Sequence, residues 1–123
     1  MKKTILVVED DVALKTALAK KMNEEGFYVL EANNGKEGLE IAKKDHPDLI
    51  LLDIIMPVMD GMTMLKELRK DNWGKNATVI FLTNLSEEGK MSEAEELGSS
   101  AYLIKTDWSL SDLVKKIKEK LNK

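Results

Sequence analysis

The sequence predicts an α/β domain, a doubly wound three-layer sandwich with a five-stranded parallel sheet between two layers of helices. Two observations lead to this fold class. Short apolar runs alternate five times with segments of helical character along the chain. The runs are apolar at consecutive rather than alternate positions, which is typical of strands covered on both faces. Alternation of this kind favours parallel strands that are joined by helical crossovers.

Five apolar runs are predicted to be strands, at residues 5–8, 27–32, 49–52, 77–82 and 101–104. The third is the most informative, because it leads directly into Asp53 and is closed by Pro57. The second contains Glu31 and is more mixed, so we expect it nearer an edge of the sheet.

The helices between these strands are predicted from apolar spacing and from capping residues. The first has an apolar stripe made of Leu14, Ala17, Leu18 and Met22. Caps are predicted at Asp10 or Asp11, at Asp60, at Ser86, and at Ser109 with Asp112 for helices one, three, four and five. The second helix is predicted at residues 36–44. The fourth has a thin apolar stripe, so we expect it to be the least firmly packed.

Composition narrows the classes of function. The 123 residues predict one domain over positions 1–123, and a net charge of −3 disfavours nucleic-acid and anionic-membrane partners. The absence of cysteine excludes disulfides and thiol chemistry, and the single histidine makes histidine metal sites weak candidates. No apolar run has the length of a signal sequence or a membrane helix, so we expect a cytoplasmic protein.

Four of the five predicted strands end in a polar residue. The first ends in Glu9 and Asp10, the third in Asp53, the fourth in Thr83 and the fifth in Lys105. In open α/β sheets, ligands bind outside the carboxyl ends of the strands, where the strand order reverses. The flavodoxin-like order 2-1-3-4-5 would place strands one and three side by side and bring three carboxylates together.

Asp53 taken alone is either a helix cap or a site residue, and its neighbours favour the second interpretation. An all-oxygen set of carboxylates predicts a hard cation, for which Mg²⁺ is the best fit. A lysine and a hydroxyl beside that cation are suited to stabilising a phosphoryl group in transfer. Asp53 would then be a nucleophile that forms an aspartyl phosphate.

These motifs resemble those of the response-regulator receiver domains of two-component signalling, including the chemotaxis regulators, from end to end. The matching residues are Ile5-Leu6-Val7-Val8-Glu9-Asp10-Asp11, Leu51-Leu52-Asp53-Ile54-Ile55-Met56-Pro57, Asp60-Gly61, Thr83 and Lys105. Each motif alone is weak. Together, in this order and each at a strand end, they are specific.

The resemblance implies a phosphoprotein rather than an enzyme with a separate substrate. Asp53 would accept a phosphoryl group from a histidine kinase or phosphotransfer protein, and the domain would catalyse only its own phosphorylation and dephosphorylation. Mg²⁺ would be held by Glu9, Asp10, Asp53 and the backbone carbonyl of Ile55, with Asp10 as the direct ligand and Glu9 acting through water.

The resemblance also assigns a switch and an output surface. Lys105 would pair with the phosphoryl group, Thr83 would close onto it, and Tyr102 would change rotamer with the threonine. Helix four, strand five and helix five would relay the state to a protein partner, and homodimers could form on activation.

Some positions depart from the family pattern. Thr106 stands where a proline usually follows the lysine in a cis peptide, so the Lys105–Thr106 bond is predicted to be either trans or a strained cis bond. Asn84 follows Thr83 where a small residue is usual. Ile55 and Leu85 flank the site, and our hypothesis is that these apolar residues slow self-dephosphorylation.

Other functions stay open at this stage. A pseudo-receiver would bind partners without taking phosphate. An aspartate-nucleophile phosphatase would need an acid two residues after Asp53, where this chain has Ile55. A flavin carrier would need a phosphate loop after strand one, where Glu9, Asp10 and Asp11 would repel phosphate.

Overall fold

The computed structural model describes residues 2–122, so the two end positions of the predicted 1–123 domain lie outside the described part. The strands are β1 Thr4–Val8, β2 Tyr28–Ala32, β3 Leu49–Leu52, β4 Val79–Thr83 and β5 Ala101–Ile104. The helices are α1 Val12–Glu24, α2 Gly35–Asp45, α3 Gly61–Arg69, α4 Glu88–Glu96 and α5 Leu110–Leu121. Short 3₁₀ turns occupy Gly74–Asn76 and Lys105–Asp107.

The strands form one parallel sheet in the order β2-β1-β3-β4-β5, which confirms the predicted fold class. β2 lies at an edge, as the mixed character of its sequence indicated. No helix among residues 2–122 combines the length and the apolar character needed to span a membrane.

Alternate residues of the central strands supply two separate apolar cores. One face contributes Leu6, Val8, Ile50 and Leu52 to a core shared with α2, α3 and α4. The other contributes Ile5, Val7, Leu49 and Leu51 to a core shared with α1 and α5. This two-residue period, with both sets fully or almost fully buried, explains the continuous apolar runs in the sequence.

Most predicted caps are present in the structure. Asp11 caps α1, Asp60 caps α3, and Ser109 with Asp112 forms a capping box at the start of α5. The cap predicted at Ser86 is wrong, because Glu87 occupies that position and its side chain makes no capping hydrogen bond. Two other details concern packing: Ala17 is exposed rather than inward-facing, and only Ala94 of α4 is buried.

The loop at 53–60 folds back sharply between β3 and α3. The Gly61 N–H donates to the Ile54 carbonyl at 2.8 Å, and a Cβ on Gly61 would lie 1.9 Å from the Asp53 carbonyl oxygen. Only glycine permits this approach. Val58 has a φ of 70°, a left-handed conformation that strains a β-branched residue.

Candidate functional site

The register of the sheet brings the polar strand ends together. Val8 pairs with Leu52, so the residues after β1 lie beside the residue after β3. The Asp53 N–H donates to the Val8 carbonyl at 3.1 Å, which extends this pairing to the carboxylate itself. β1 and β3 are also where the strand order reverses, and ligands bind at that point in sheets of this kind.

Glu9, Asp10 and Asp53 form an acidic cluster at this edge of the sheet. Each offers one carboxylate oxygen, and these atoms lie within 4.8 Å of one another. Glu9 and Asp53 are buried, whereas Asp10 is exposed. The donor chemistry fits Mg²⁺, which prefers a few carboxylate oxygens and keeps its remaining positions for water or phosphate.

Lys105 lies between the two buried carboxylates. Its Nζ is 2.9 Å from Asp53 Oδ2 and 2.9 Å from Glu9 Oε1. Burial disfavours the charged ammonium, but the hydrogen bonds to Asp53 and Glu9 outweigh that effect, so the pKa of Lys105 is raised. Lys105 therefore carries its positive charge into the cluster at neutral pH.

Backbone amides hold the two buried carboxylates in place. Asp53 Oδ1 accepts a hydrogen bond from the Ile54 N–H at 2.7 Å, and Glu9 Oε2 accepts one from the Asp11 N–H at 3.1 Å. Burial raises the pKa of Glu9, the bond from Lys105 opposes this rise, and the nearby charge of Asp53 adds to it. Both side chains are thus oriented before any ligand arrives.

Lys105 begins the turn Lys105–Asp107, and no peptide bond between residues 2 and 122 is cis. The Lys105–Thr106 bond is therefore trans, which decides between the two geometries that the sequence allowed. The trans bond still lets the ammonium reach both carboxylates.

Thr83 and Tyr102 both form hydrogen bonds with the backbone of Leu85. Thr83 Oγ1 is buried and accepts from the Leu85 N–H at 3.3 Å, while the Tyr102 hydroxyl donates to the Leu85 carbonyl at 2.6 Å. The Tyr102 ring lies tilted against Phe81, with centroids 5.8 Å apart. Burial raises the pKa of the Tyr102 hydroxyl. The hydrogen bond of Thr83 thus goes to the β4–α4 connection rather than to Asp53.

Ile55 lies in the loop between β3 and α3, and its side chain is 64% exposed. Its predicted role belongs to the backbone carbonyl and not to this side chain.

The sequence pattern for the "Response regulator receiver domain" family matches residues 5–118. The chain belongs to this family. Receiver domains are phosphoryl-accepting signalling modules of two-component systems, and they generally bind Mg²⁺ in an acidic pocket such as the one formed here.

Similar receivers occur in proteins of several kinds. A probable transcriptional regulator, ycf27 of Porphyridium aerugineum, is 36% identical over 104 residues, which cover 85% of this chain but 42% of that protein. Sporulation initiation phosphotransferase F of Bacillus subtilis is 35% identical over 105 residues, 85% of this chain and 83% of that protein. The chain thus spans less than half of the first relative's length and most of the second's.

The structure also matches a solved receiver closely. A CheY-like response regulator receiver domain protein from Methanospirillum hungatei has a TM-score of 0.92 and 30% identity, covering 99% of this chain and 95% of that one. The likeness therefore extends over all five strands and all five helices of this receiver.

Sequence reasoning missed two contacts that shape this receiver around its acidic cluster. Lys15 is buried on α1, and its ammonium donates to the Asn33 side chain after β2. The Gly35 N–H donates to the Met59 carbonyl at 2.9 Å. The Asn33-Asn34-Gly35 segment indicated a turn, but nothing in its local pattern names a partner in the β3–α3 loop.

Proposed function

We propose that Asp53 accepts a phosphoryl group from a phosphohistidine of a histidine kinase or phosphotransfer protein, in the presence of Mg²⁺. A carboxylate oxygen of Asp53 attacks phosphorus, the P–O bond forms, the P–N bond to the donor breaks, and the imidazole leaves with its electron pair. The observation that carries this proposal is the buried Asp53 carboxylate with the Lys105 ammonium 2.9 Å away and two further carboxylates beside it.

The residues around Asp53 have separate parts in this proposal. Asp10 binds the metal directly, Glu9 binds it through water, and Asp53 with the backbone carbonyl of Ile55 completes the protein ligands. Bound Mg²⁺ would neutralise charge on the phosphoryl oxygens. Lys105 exchanges its contact with Asp53 for one with the phosphoryl group and holds the new charge after transfer.

We further propose that the Thr83–Leu85–Tyr102 contacts report phosphorylation. The Thr83 hydroxyl leaves the Leu85 N–H and closes onto the phosphoryl oxygen, which frees Leu85 and changes the rotamer of Tyr102. The surface formed by α4, β5 and α5 then presents a different shape to a downstream protein, or to a second copy of the domain. We place this single domain, over residues 1–123, in the cytoplasm, with no direct nucleic-acid or membrane partner.

Intact-mass spectrometry after treatment with a small phosphodonor and Mg²⁺ tests the acceptor. We expect one phosphate adduct on the parent and on Asp45→Asn, a control at an exposed carboxylate, and none on Asp53→Asn. An equal adduct on Asp53→Asn would show that another residue accepts the phosphoryl group. No adduct on the parent would favour the alternative, a pseudo-receiver that binds partners without phosphate.

The slow-dephosphorylation hypothesis has its own test. Ile55 and Tyr28 are both exposed, with exposed fractions of 64% and 57%, but Tyr28 lies at the start of β2, at the end of the sheet away from Asp53. We expect Ile55→Asn to speed the loss of phosphate, because a polar group two residues after Asp53 can orient the attacking water. The control, Tyr28→Asn, should leave the rate near that of the parent. Equal rates in Ile55→Asn and the parent would remove the hypothesis.

A further inference from the structure

The loop at residues 54–60 is attached to the rest of the domain by the buried side chains of Ile54 and Met56 and, at its end, by Asp60, which caps α3. Among residues 2–122, a single hydrogen bond joins this segment to a distant part of the chain, from the Gly35 N–H to the Met59 carbonyl at 2.9 Å. Its other backbone bonds are local, from Met59 to Pro57, from Gly61 to Ile54 and from Met64 to Asp60. Within the described residues, Gly35 thus supplies the one long-range hydrogen bond to the Met59 side of this loop.

Gly35 is the first residue of α2, where the backbone N–H has no partner within the helix. The Met59 carbonyl of the loop accepts its hydrogen bond from this free N–H. Gly35 is buried, and a Cβ there would lie 2.5 Å from the Met59 carbonyl oxygen and 3.0 Å from the Asp60 carbonyl oxygen. Both are backbone atoms, so a side chain at position 35 would displace the loop rather than a flexible side chain.

The same loop holds Val58 in its left-handed conformation with φ of 70°. Strain of this kind persists only where the surroundings enforce it. Loosening the attachment at Met59 would let Val58 relax, and the exposed backbone on either side of the buried Met56 side chain, including the peptide of Ile55, would shift with it.

We propose that Gly35 is a positioning residue for the metal site, acting through Met59 on the backbone carbonyl of Ile55. The inference rests on the proposed function, because it takes that carbonyl as a ligand of Mg²⁺. Gly35 does not touch the ion. It fixes the one ligand that belongs to a loop rather than to a strand end, and groups that orient metal ligands commonly control affinity by tenfold or more.

Calorimetric titration with Mg²⁺ alone, without phosphodonor, measures the effect on the unphosphorylated protein. We expect Gly35→Ala to weaken Mg²⁺ binding about tenfold, as is typical when a ligand loses its orienting contact. Gly38→Ala is the matched control, since its Cβ would lie 2.8 Å from a Val8 methyl and 3.0 Å from the Met64 sulfur, in the core and away from the loop. It should lower stability and leave Mg²⁺ affinity near that of the parent.

Hydrogen exchange on the unsubstituted protein gives a second readout that needs no variant. Coupled equilibria are reciprocal. If the hydrogen bond from Gly35 to Met59 strengthens Mg²⁺ binding by some factor, bound Mg²⁺ must stabilise that hydrogen bond by the same factor. We expect saturating Mg²⁺ to slow exchange of the Gly35 amide. The Gly38 amide, bonded to Asn34 at 3.0 Å within the same segment, should change little and serves as the control.

The outcomes separate this inference from the proposed function. The inference would be overturned if Gly35→Ala and Gly38→Ala weakened Mg²⁺ binding equally, or if Mg²⁺ did not change the exchange rate of the Gly35 amide. Neither result would affect the proposed phosphorylation of Asp53. A parent that binds Mg²⁺ normally but takes no phosphate would overturn the proposed function alone. Should Gly35→Ala fail to fold, the exchange measurement decides by itself.

Discussion

Arg69 at the end of α3 joins three parts of the domain that are distant from the acidic cluster. Its Nε donates to the Leu97 carbonyl at 2.7 Å, and its Nη2 to the Gly98 carbonyl at 3.1 Å. Its Nη1 donates to the carbonyls of Gly74 and Ala77 at 2.7 and 2.9 Å. One guanidinium thus satisfies backbone acceptors after α4 and before β4. Replacing it by methionine keeps an unbranched apolar stem and removes all four bonds.

The stability lost in Arg69→Met depends on which of the four carbonyls can form a hydrogen bond to water in the variant. Gly98 is exposed and Leu97 half-buried, so their carbonyls recover partners at little cost. Gly74 and Ala77 are buried, but the Gly74 carbonyl keeps a hydrogen bond from the Ala77 N–H at 3.2 Å. Only the Ala77 carbonyl is left without a partner, at a cost of about 1–3 kcal/mol. We therefore expect Arg69→Met to lower the free energy of unfolding by about 1–3 kcal/mol.

Urea denaturation followed by circular dichroism measures this loss. Arg69→Lys should recover less than half of it, because one ammonium cannot match the planar fork that reaches four carbonyls. The control is Lys66→Met on the same helix, which removes a surface ion pair with Glu93 at 2.7 Å and should change stability only slightly. A loss below about 1 kcal/mol in Arg69→Met, or full stability in Arg69→Lys, would refute the reasoning.

Three further substitutions test local features by the same urea assay. Asp60→Ala should cost about 1 kcal/mol, because Asp60 caps α3 through Thr63. Burial tends to raise the pKa of Asp60, but the hydrogen bonds from Thr63 outweigh this effect, so the pKa is lowered. The charged cap therefore stabilises the folded state above the unfolded-state pKa of ~3.9. The stability lost in Asp60→Ala should shrink as the pH falls through the lower, folded-state pKa. Val58→Gly should stabilise by about 1 kcal/mol by relieving the left-handed strain, and a lower stability would contradict this. Tyr102→Phe should cost about 1 kcal/mol by leaving the Leu85 carbonyl unpaired, and an unchanged midpoint would show that water replaces the hydroxyl.

The fold was predictable because its determinants are local and periodic. Short runs of consecutive apolar residues between turn residues are typical of strands covered on both faces, and such strands need helices on either side. Polar residues at the ends of these strands then meet at one edge, which is how Asp53 and Lys105 could be placed together before their 2.9 Å contact was known. A cap such as Asp60 is similarly local, since it bonds three residues ahead.

The features that escaped prediction are those whose partner lies far along the chain. The bonds from Arg69 reach 28 and 29 residues ahead to Leu97 and Gly98, and no sequence period announces such a partner. Gly35 indicated only a turn, although its N–H binds the β3–α3 loop. The start of α4 was placed wrongly because Ser86 is a good capping residue, whereas this weakly packed helix starts after Glu87 without any side-chain cap.

Helix α4 contributes only Ala94 to the buried core, and its other side chains lie wholly or partly in solvent. Its attachments at either end, the Leu85 carbonyl to Tyr102 and the Leu97 carbonyl to Arg69, are made by backbone atoms that any residue would supply. Most of its side chains can therefore be exchanged with little change in the folded state. If α4 belongs to the proposed output surface, the side chains that would contact a partner there differ from those that hold the domain together. The binding preference could then change, in evolution or by design, without loss of the fold.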